Sequence, residues 1–254
     1  MSELLELAAA TAREAGAGLR EAFARGGLEV ASKSSPTDPV SEADRSAERL
    51  IRDRLTAARP DDAMLGEEGS DVTGTSGIRW IVDPLDGTVN FLFGIPQWGV
   101  SIACEDGDGT LAGVVYDPMR DELWSAERDG EPRCNGVPVR GSEQDDLGLA
   151  LVATGFGYAS EVRAIQGAAV GRLLPQVRDI RRLGSAALDL AWTAAGRYDV
   201  YYERGLHAWD VAAGELLCRR AGLEVVTLPA APPLPEGVMV APAALVEPVL
   251  ALLD

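Results

Sequence analysis

Lysine and histidine are almost missing from this chain. Among its 254 residues Lys33 is the only lysine and His207 the only histidine, every other base being arginine. Cysteine is scarce as well. Cys104, Cys134 and Cys218 are odd in number and far apart, which fits neither a disulfide framework nor a zinc site and points to reduced thiols in a cytoplasmic protein. No run of eighteen or more apolar residues occurs, so the sequence offers no membrane span. The opening segment MSELLELAAATAREAG carries acids where a signal peptide would carry bases, and it reads as the first turns of a helix. Positive charge is in deficit, with 23 Lys and Arg against 40 Asp and Glu for a formal net charge of −17. Such a surface repels nucleic acid unless a basic patch overrides it, and the nearest thing to one, Arg178, Arg181 and Arg182, is small. Net acidity also conflicts with an anionic substrate. Bound divalent cations would resolve that conflict, because they become the largest local charges in a site.

What is present is an ordinary globular composition, 46% apolar and 25% charged, with length enough for one large domain or two small ones. Apolar residues at helical spacing (Leu4, Leu7, Ala8, Ala12, Ala15, Leu19, Ala22, Phe23) predict a helix over 3–25, stopped by Gly26 and Gly27. Val30–Ser41 reads as a loop or hairpin. Ser41, as N-cap, starts a second helix to about Ala58, and Asp61–Gly77 reads as a polar, Gly-rich loop. Strands follow at Ile78–Val82, Trp98–Cys104, Thr110–Tyr116 and Glu122–Ala126, with a hairpin near Cys134–Val139, suggesting an antiparallel sheet on the first two helices. The second half alternates. Strands are predicted at Leu149–Thr154, Ile180–Leu183, Tyr198–Tyr202, Leu223–Thr227 and Val238–Ala241. Helices are predicted at Ser160–Gln176, Ser185–Ala195, Trp209–Ala221 and Pro242–Leu253. Two α/β halves in one layered domain follow from this pattern.

The segment Trp80–Asn90, WIVDPLDGTVN, carries the strongest chemical signal. Pro84 is expected to stop the strand and Gly87 to let the chain turn. A turn brings the carboxylates of Asp83 and Asp86 toward one point, with the carbonyl of Leu85 between them, and hard cations such as magnesium take such oxygen ligands. The residues after Gly87 should begin a short helix whose free N–H groups, with the Thr88 hydroxyl, face an anion. Either glutamate of Gly66-Glu67-Glu68 could complete a metal site or activate a water. Asp210, in GLHAWD, has a plain alternative as a helix cap or first-turn acid. His207 beside it could be an ordinary surface histidine, and Gly184-Ser185-Ala186 a tight helix start. Lys33 is either chance or a position where arginine's flat fork cannot serve.

Taken together, in order and spacing, these pieces resemble the inositol monophosphatase family, in its bacterial inositol-1-monophosphatase-like branch. Lys33, Asp44, GEE at 66–68, WIVDPLDGT at 80–88, GSAA at 184–187 and GLHAWD at 205–210 carry the resemblance over roughly residues 1–222. It implies an α+β fold, a layered αβαβα sandwich of the inositol monophosphatase and fructose-1,6-bisphosphatase type. It implies a single catalytic domain over 1–254, with an N-terminal α+β half (about 1–145) and a C-terminal α/β half (about 146–254). The implied activity is Mg²⁺-dependent hydrolysis of a small phosphate monoester, inositol-1-phosphate first, by a phosphoric monoester hydrolase. Alternatives are histidinol phosphate, fructose-1,6-bisphosphate or 3′-phosphoadenosine phosphate as substrate, or a regulatory protein that has kept the fold.

The same resemblance assigns two or three Mg²⁺ ions to Glu67, Asp83, the Leu85 carbonyl, Asp86 and Asp210. It assigns water activation to Glu67 and Thr88 with Asp44. Substrate contacts fall to Asp86, Gly87, Thr88, Gly184, Ser185, Ala186, Glu203 and Asp210. Lithium sensitivity and a homodimer are further implications. The resemblance is weakest after Ala221 and at Asp129–Val139, where rim loops would set substrate choice.

Overall fold

The computed structural model describes residues 2–25, 30–32, 39–69 and 71–253, with 30–32 and 39–41 described by backbone alone. Helix α1 (Glu3–Arg25) forms where the apolar spacing places it and buries Leu5, Ala8, Ala12, Ala15 and Leu19 along one face. Strands β1 (Val30–Ser32) and β2 (Pro39–Ser41) pair antiparallel, the hairpin option for that stretch. Helix α2 (Glu42–Ala58) follows and buries Asp44, Ala47, Glu48, Ile51 and Leu55.

Two expectations need correction at this point. Ala63–Gly66, assigned to loop, is strand β3, too short between turn residues to show a period of its own. Strand β4 (Arg79–Asp86) runs past Val82 and straight through Pro84. The pairing slips between Asp83↔Ser101 and Asp86↔Gly99. The resulting β-bulge accepts a residue that has no N–H to give the ladder.

After helix α3 (Thr88–Leu92) come β5 (Gly99–Asp106), β6 (Gly109–Asp117), β7 (Glu122–Glu127), β8 (Arg133–Cys134) and β9 (Val137–Pro138). They complete a seven-stranded sheet in the order β3-β4-β5-β6-β7-β8-β9. It is antiparallel except for β3, which lies parallel to β4. The first two helices cover one face, packing Ala12, Leu19 and Ile51 in one cluster with Val82, Leu85, Phe91 and Trp98. Val82, Leu85 and Phe91 are each at most 1% exposed. Each such side chain contributes about 1.5–3 kcal/mol by leaving water, which fixes the end of β4 rigidly.

The second half supplies β10 (Leu151–Thr154), α4 (Ser160–Leu173), β11 (Asp179–Arg181), α5 (Ala186–Ala194), β12 (Val200–Arg204), α6 (Ala208–Arg220), β13 (Glu224–Leu228), β14 (Gly237–Ala241) and α7 (Ala243–Leu253). The helix predicted to Gln176 ends at Leu173, and Pro175 sits in a 3₁₀ turn beyond it. The five-stranded sheet runs β11-β10-β12-β14-β13, parallel among the first three strands and antiparallel beyond. Helices α5 and α6 are shared by both sheets. Leu188, Ala191 and Leu217 pack with Ile81, Val115 and Trp124 on one side and with Tyr201 and Val240 on the other. Helices α4 and α7 close the far face through Leu173, Leu245 and Val249. The layers therefore run helix, sheet, helix, sheet, helix, which is the expected αβαβα sandwich. No helix among the described residues is long and apolar enough to cross a membrane.

Candidate active site

Strand β4 ends in a cluster of carboxylates drawn from three elements. Asp83 is 1% exposed, and its Oδ1 accepts the backbone N–H of Leu85 at 3.0 Å. Asp86 Oδ2 accepts the Ser185 hydroxyl and the Ala187 N–H, the latter at 2.7 Å. Asp210 is the third residue of α6. Its Oδ2 accepts the His207 N–H at 2.6 Å in a capping box whose cap is His207. One ligand oxygen from each of Asp83, Asp86 and Asp210 lies within 4.8 Å of the others. The capping role offered for Asp210 and its place in this cluster therefore hold together, on the same carboxylate.

The overlooked strand β3 delivers the fourth acid. Gly66 stands level with Val82 in parallel register, the Glu67 N–H bonds Val82 O at 3.2 Å, and the Glu67 carboxyl shares a hydrogen bond with Asp83. Glu67 also groups with Asp44 and Glu68, their oxygens within 4.8 Å of one another. Buried Glu48, absent from the expected site residues, accepts the Glu68 N–H at 2.6 Å and so anchors this turn to α2. Only tertiary packing marks it.

The turn after Asp86 needs its glycine. Gly87 has φ +95°, and a Cβ there would lie 2.9 Å from Gln97 O. Its turn opens α3, whose first N–H groups stand outside the helical ladder. The Thr88 hydroxyl donates to Leu85 O at 2.9 Å and lies 3.3 Å from Asp44 Oδ2. Asn90 gives its amide N–H groups to Gln97 O and Leu183 O, each at 2.7 Å. It thereby ties α3 to Gly184 and the start of α5, another link invisible in the sequence. Gly184 has φ +89°, and Ser185 is the N-cap of α5, so this segment is a tight helix start that also reaches Asp86 through the Ser185 hydroxyl. Ala186 follows as the first residue of α5.

Glu203 approaches from β12, part-buried, with its Oε2 accepting the Tyr201 hydroxyl at 2.9 Å. Asp189 on α5, absent from the sequence-derived set, is 1% exposed and lies beside Glu203 and Asp86. His207 is exposed, its ring stacked on Trp209 with centroids 4.8 Å apart. Lys33 lies outside the described residues.

Burial is the main force on the protonation of this cluster. It pushes Asp83 well above the usual carboxylate range, with Glu67, Asp86 and Asp210 adding repulsion. It raises Asp86 to about 6 against the opposing bonds from Ser185 and Ala187, Glu203 to about 7, and Asp210 to about 8 with further repulsion from Asp86. Acids crowded this way are either partly protonated or neutralised by cations. Their all-oxygen donor set suits a hard divalent ion, which would remove desolvation and repulsion together.

Comparison with known proteins agrees with this geometry. The model of the inositol monophosphatase family matches residues 1–250. The inositol-1-monophosphatase SuhB of Mycobacterium tuberculosis is 47% identical over 213 residues, covering 78% of this chain and 71% of that protein. The Nus factor SuhB of Escherichia coli is 41% identical over 224 residues, covering 87% and 84%. Among solved structures, the extragenic suppressor protein SuhB of Bartonella henselae superposes with a TM-score of 0.93 at 36% identity, covering 100% of this chain and 99% of that one. The inositol monophosphatase of Thermotoga maritima reaches 0.89 at 29% identity, covering 99% and 97%. Membership supports phosphatase activity on a small phosphate-bearing molecule, and the two acidic clusters are able to bind metal. The chain belongs to the inositol monophosphatase family.

Proposed function

We propose that this protein is a magnesium-dependent phosphatase of small phosphate monoesters, with inositol-1-phosphate as its first substrate. The observation that carries this reading is the convergence of Asp83, Asp86 and Asp210 oxygens within 4.8 Å, with Glu67 bonded to Asp83 at their edge. Glu67, Asp83, Asp86, Asp210 and the Leu85 carbonyl would hold two or three ions. Magnesium bound there supplies a water of lowered pKa, polarisation of the phosphoryl oxygens and stabilisation of the leaving alkoxide.

The chain's own groups do the rest. The Thr88 hydroxyl, between Leu85 O and Asp44, orients the attacking water, and Glu67 with Asp44 takes its proton. The N–H groups of Gly87 and Thr88 face the phosphate. Asp86 keeps one oxygen on Ser185 and Ala187, and the other would be left for the cation and a substrate hydroxyl. Gly184, Ser185, Ala186 and Glu203 bound the alcohol. A homodimer, a cytoplasmic location and inhibition by lithium belong to the same reading, from the family.

The test is phosphate release from inositol-1-phosphate with Mg²⁺, run beside histidinol phosphate, fructose-1,6-bisphosphate and 3′-phosphoadenosine phosphate. Turnover of none of them would end the phosphatase reading. A preferred member other than inositol-1-phosphate would move the substrate while keeping the chemistry.

A second reading rests on the 41% identity to a relative named a Nus factor. In it, the fold serves as a regulator working through protein contacts. Retention of all five proposed metal-binding positions supports catalysis instead. Calorimetric titration with Mg²⁺ separates the two, since absence of binding favours the regulator.

A further inference from the structure

We infer that Gly155 is a positioning residue for recognition of the alcohol, because the space its missing side chain leaves is where the Glu203 carboxylate sits. Strands β10 and β12 run parallel, with Thr154 level with Tyr202, so Gly155 and Glu203 emerge side by side at the same end of the sheet. A Cβ built on Gly155 would fall 1.9 Å from Glu203 Oε2, 2.0 Å from its Cδ and 2.1 Å from Oε1. All three distances are far inside van der Waals contact. Gly155 is buried and does not have a positive φ. The demand for glycine here therefore comes from contact and not from a left-handed backbone, and the three atoms nearest that Cβ all belong to Glu203.

The carboxylate is held by the Tyr201 hydroxyl at 2.9 Å, and Tyr201 is fully buried. A side chain at 155 leaves Glu203 one cheap response, which is to swing its flexible end away from both the tyrosine and the substrate region. The fold survives that response and the geometry of the alcohol subsite does not. A polyhydroxy alcohol gripped by a fixed carboxylate is then bound less well, while a phosphate ester without hydroxyl groups has nothing to lose.

This inference rests on the reading of Glu203 as a contact to the alcohol, and the experiment separates the two. Steady-state kinetics on inositol-1-phosphate and on 4-nitrophenyl phosphate are compared for wild type, Gly155→Ala, Glu203→Ala and the double variant. Gly155→Ala should raise KM for inositol-1-phosphate roughly tenfold, the loss of one charged hydrogen bond, and lower the preference for it over the aryl ester by a similar factor. In the Glu203→Ala background the same substitution should add nothing, as its target is gone. A KM that rises with Glu203→Ala and stays at the wild-type value with Gly155→Ala overturns the role of Gly155 and keeps that of Glu203. No change with Glu203→Ala overturns both. Should Gly155→Ala fail to fold, folding restored in the double variant upholds the steric pairing, and failure of the double variant as well overturns it.

Discussion

The Ser185 hydroxyl donates a hydrogen bond to Asp86 across 99 positions of sequence. The bond joins the end of the first sheet to the N-cap of α5, in the layer between the sheets, so one oxygen of Asp86 is committed. Ser185→Ala should therefore act twice. It should lower kcat/KM about tenfold by freeing a charged hydrogen-bond acceptor, and lower stability by about 1 kcal/mol by removing the cap whose oxygen accepts the Leu188 N–H. Phosphate release and a thermal melt measure the two effects separately. An unchanged rate with a lowered melt would reduce Ser185 to a cap.

Asp83→Asn keeps the size of the side chain and removes its charge from the centre of the cluster. Activity should fall at least about a hundredfold, the scale seen when one strong transition-state contact is lost. Because Asp83 is held well above the usual carboxylate range by burial and its acidic neighbours, the cation-free variant should melt higher than wild type. A lower melt in the absence of divalent ions contradicts the repulsion described for this site.

Burial of these acids, with repulsion added, fixes a pH dependence. Asp86 at about 6, Glu203 at about 7 and Asp210 at about 8 hold their protons more tightly folded than unfolded. The unfolded chain releases those protons near pH 4, so raising the pH from there to about 8 strips stability from the cation-free protein. In EDTA the melting temperature should fall across that window. Mg²⁺ should reverse the fall, with its largest gain at the alkaline end. A gain independent of pH would mean that the ion binds elsewhere.

Thr88 and Asp44 lie at hydrogen-bond distance, so their contributions should not multiply. Thr88→Val and Asp44→Asn should each slow phosphate release by roughly a hundredfold, and the double variant should be little slower than the worse single one. Losses that multiply would show the two residues acting independently.

Much of the site was legible because its chemistry is compressed into short runs. DPLDGT sets two acids, a carbonyl and a turn within six positions, and helical spacing placed α1, and an N-cap signal α2, within a residue or two. Glu48, Asn90, Asp189 and Gly155 were not legible. Each acts through a partner at least fourteen positions away along the chain or through packing, and nothing local marks that partner. Strand β3 was hidden by its length, four residues inside a polar stretch, yet it is what carries Glu67 to Asp83. Pro84 misled for a physical reason, since a proline that ends a regular ladder is tolerated where the ladder is already broken.

The break at Pro84 changes the parity of the strand. Side chains of a regular strand alternate between faces, so positions 83 and 86, an odd number apart, would point to opposite sides of the sheet. Before the bulge, Trp80 and Val82 pack toward α1 and α2, and Ile81 packs toward α5 and α6. After it, Leu85 has returned to the side of Val82, and Asp86 faces Ser185 and Ala187 of the middle layer. The additional residue has flipped the count, bringing both carboxylates out on one side. While the bulge holds, a single insertion into the two-residue spacer between Asp83 and Asp86 would send an acid into the apolar layer beneath the first two helices and leave the cluster one carboxylate short, whereas a single deletion keeps both acids on one side only if the bulge is lost with it.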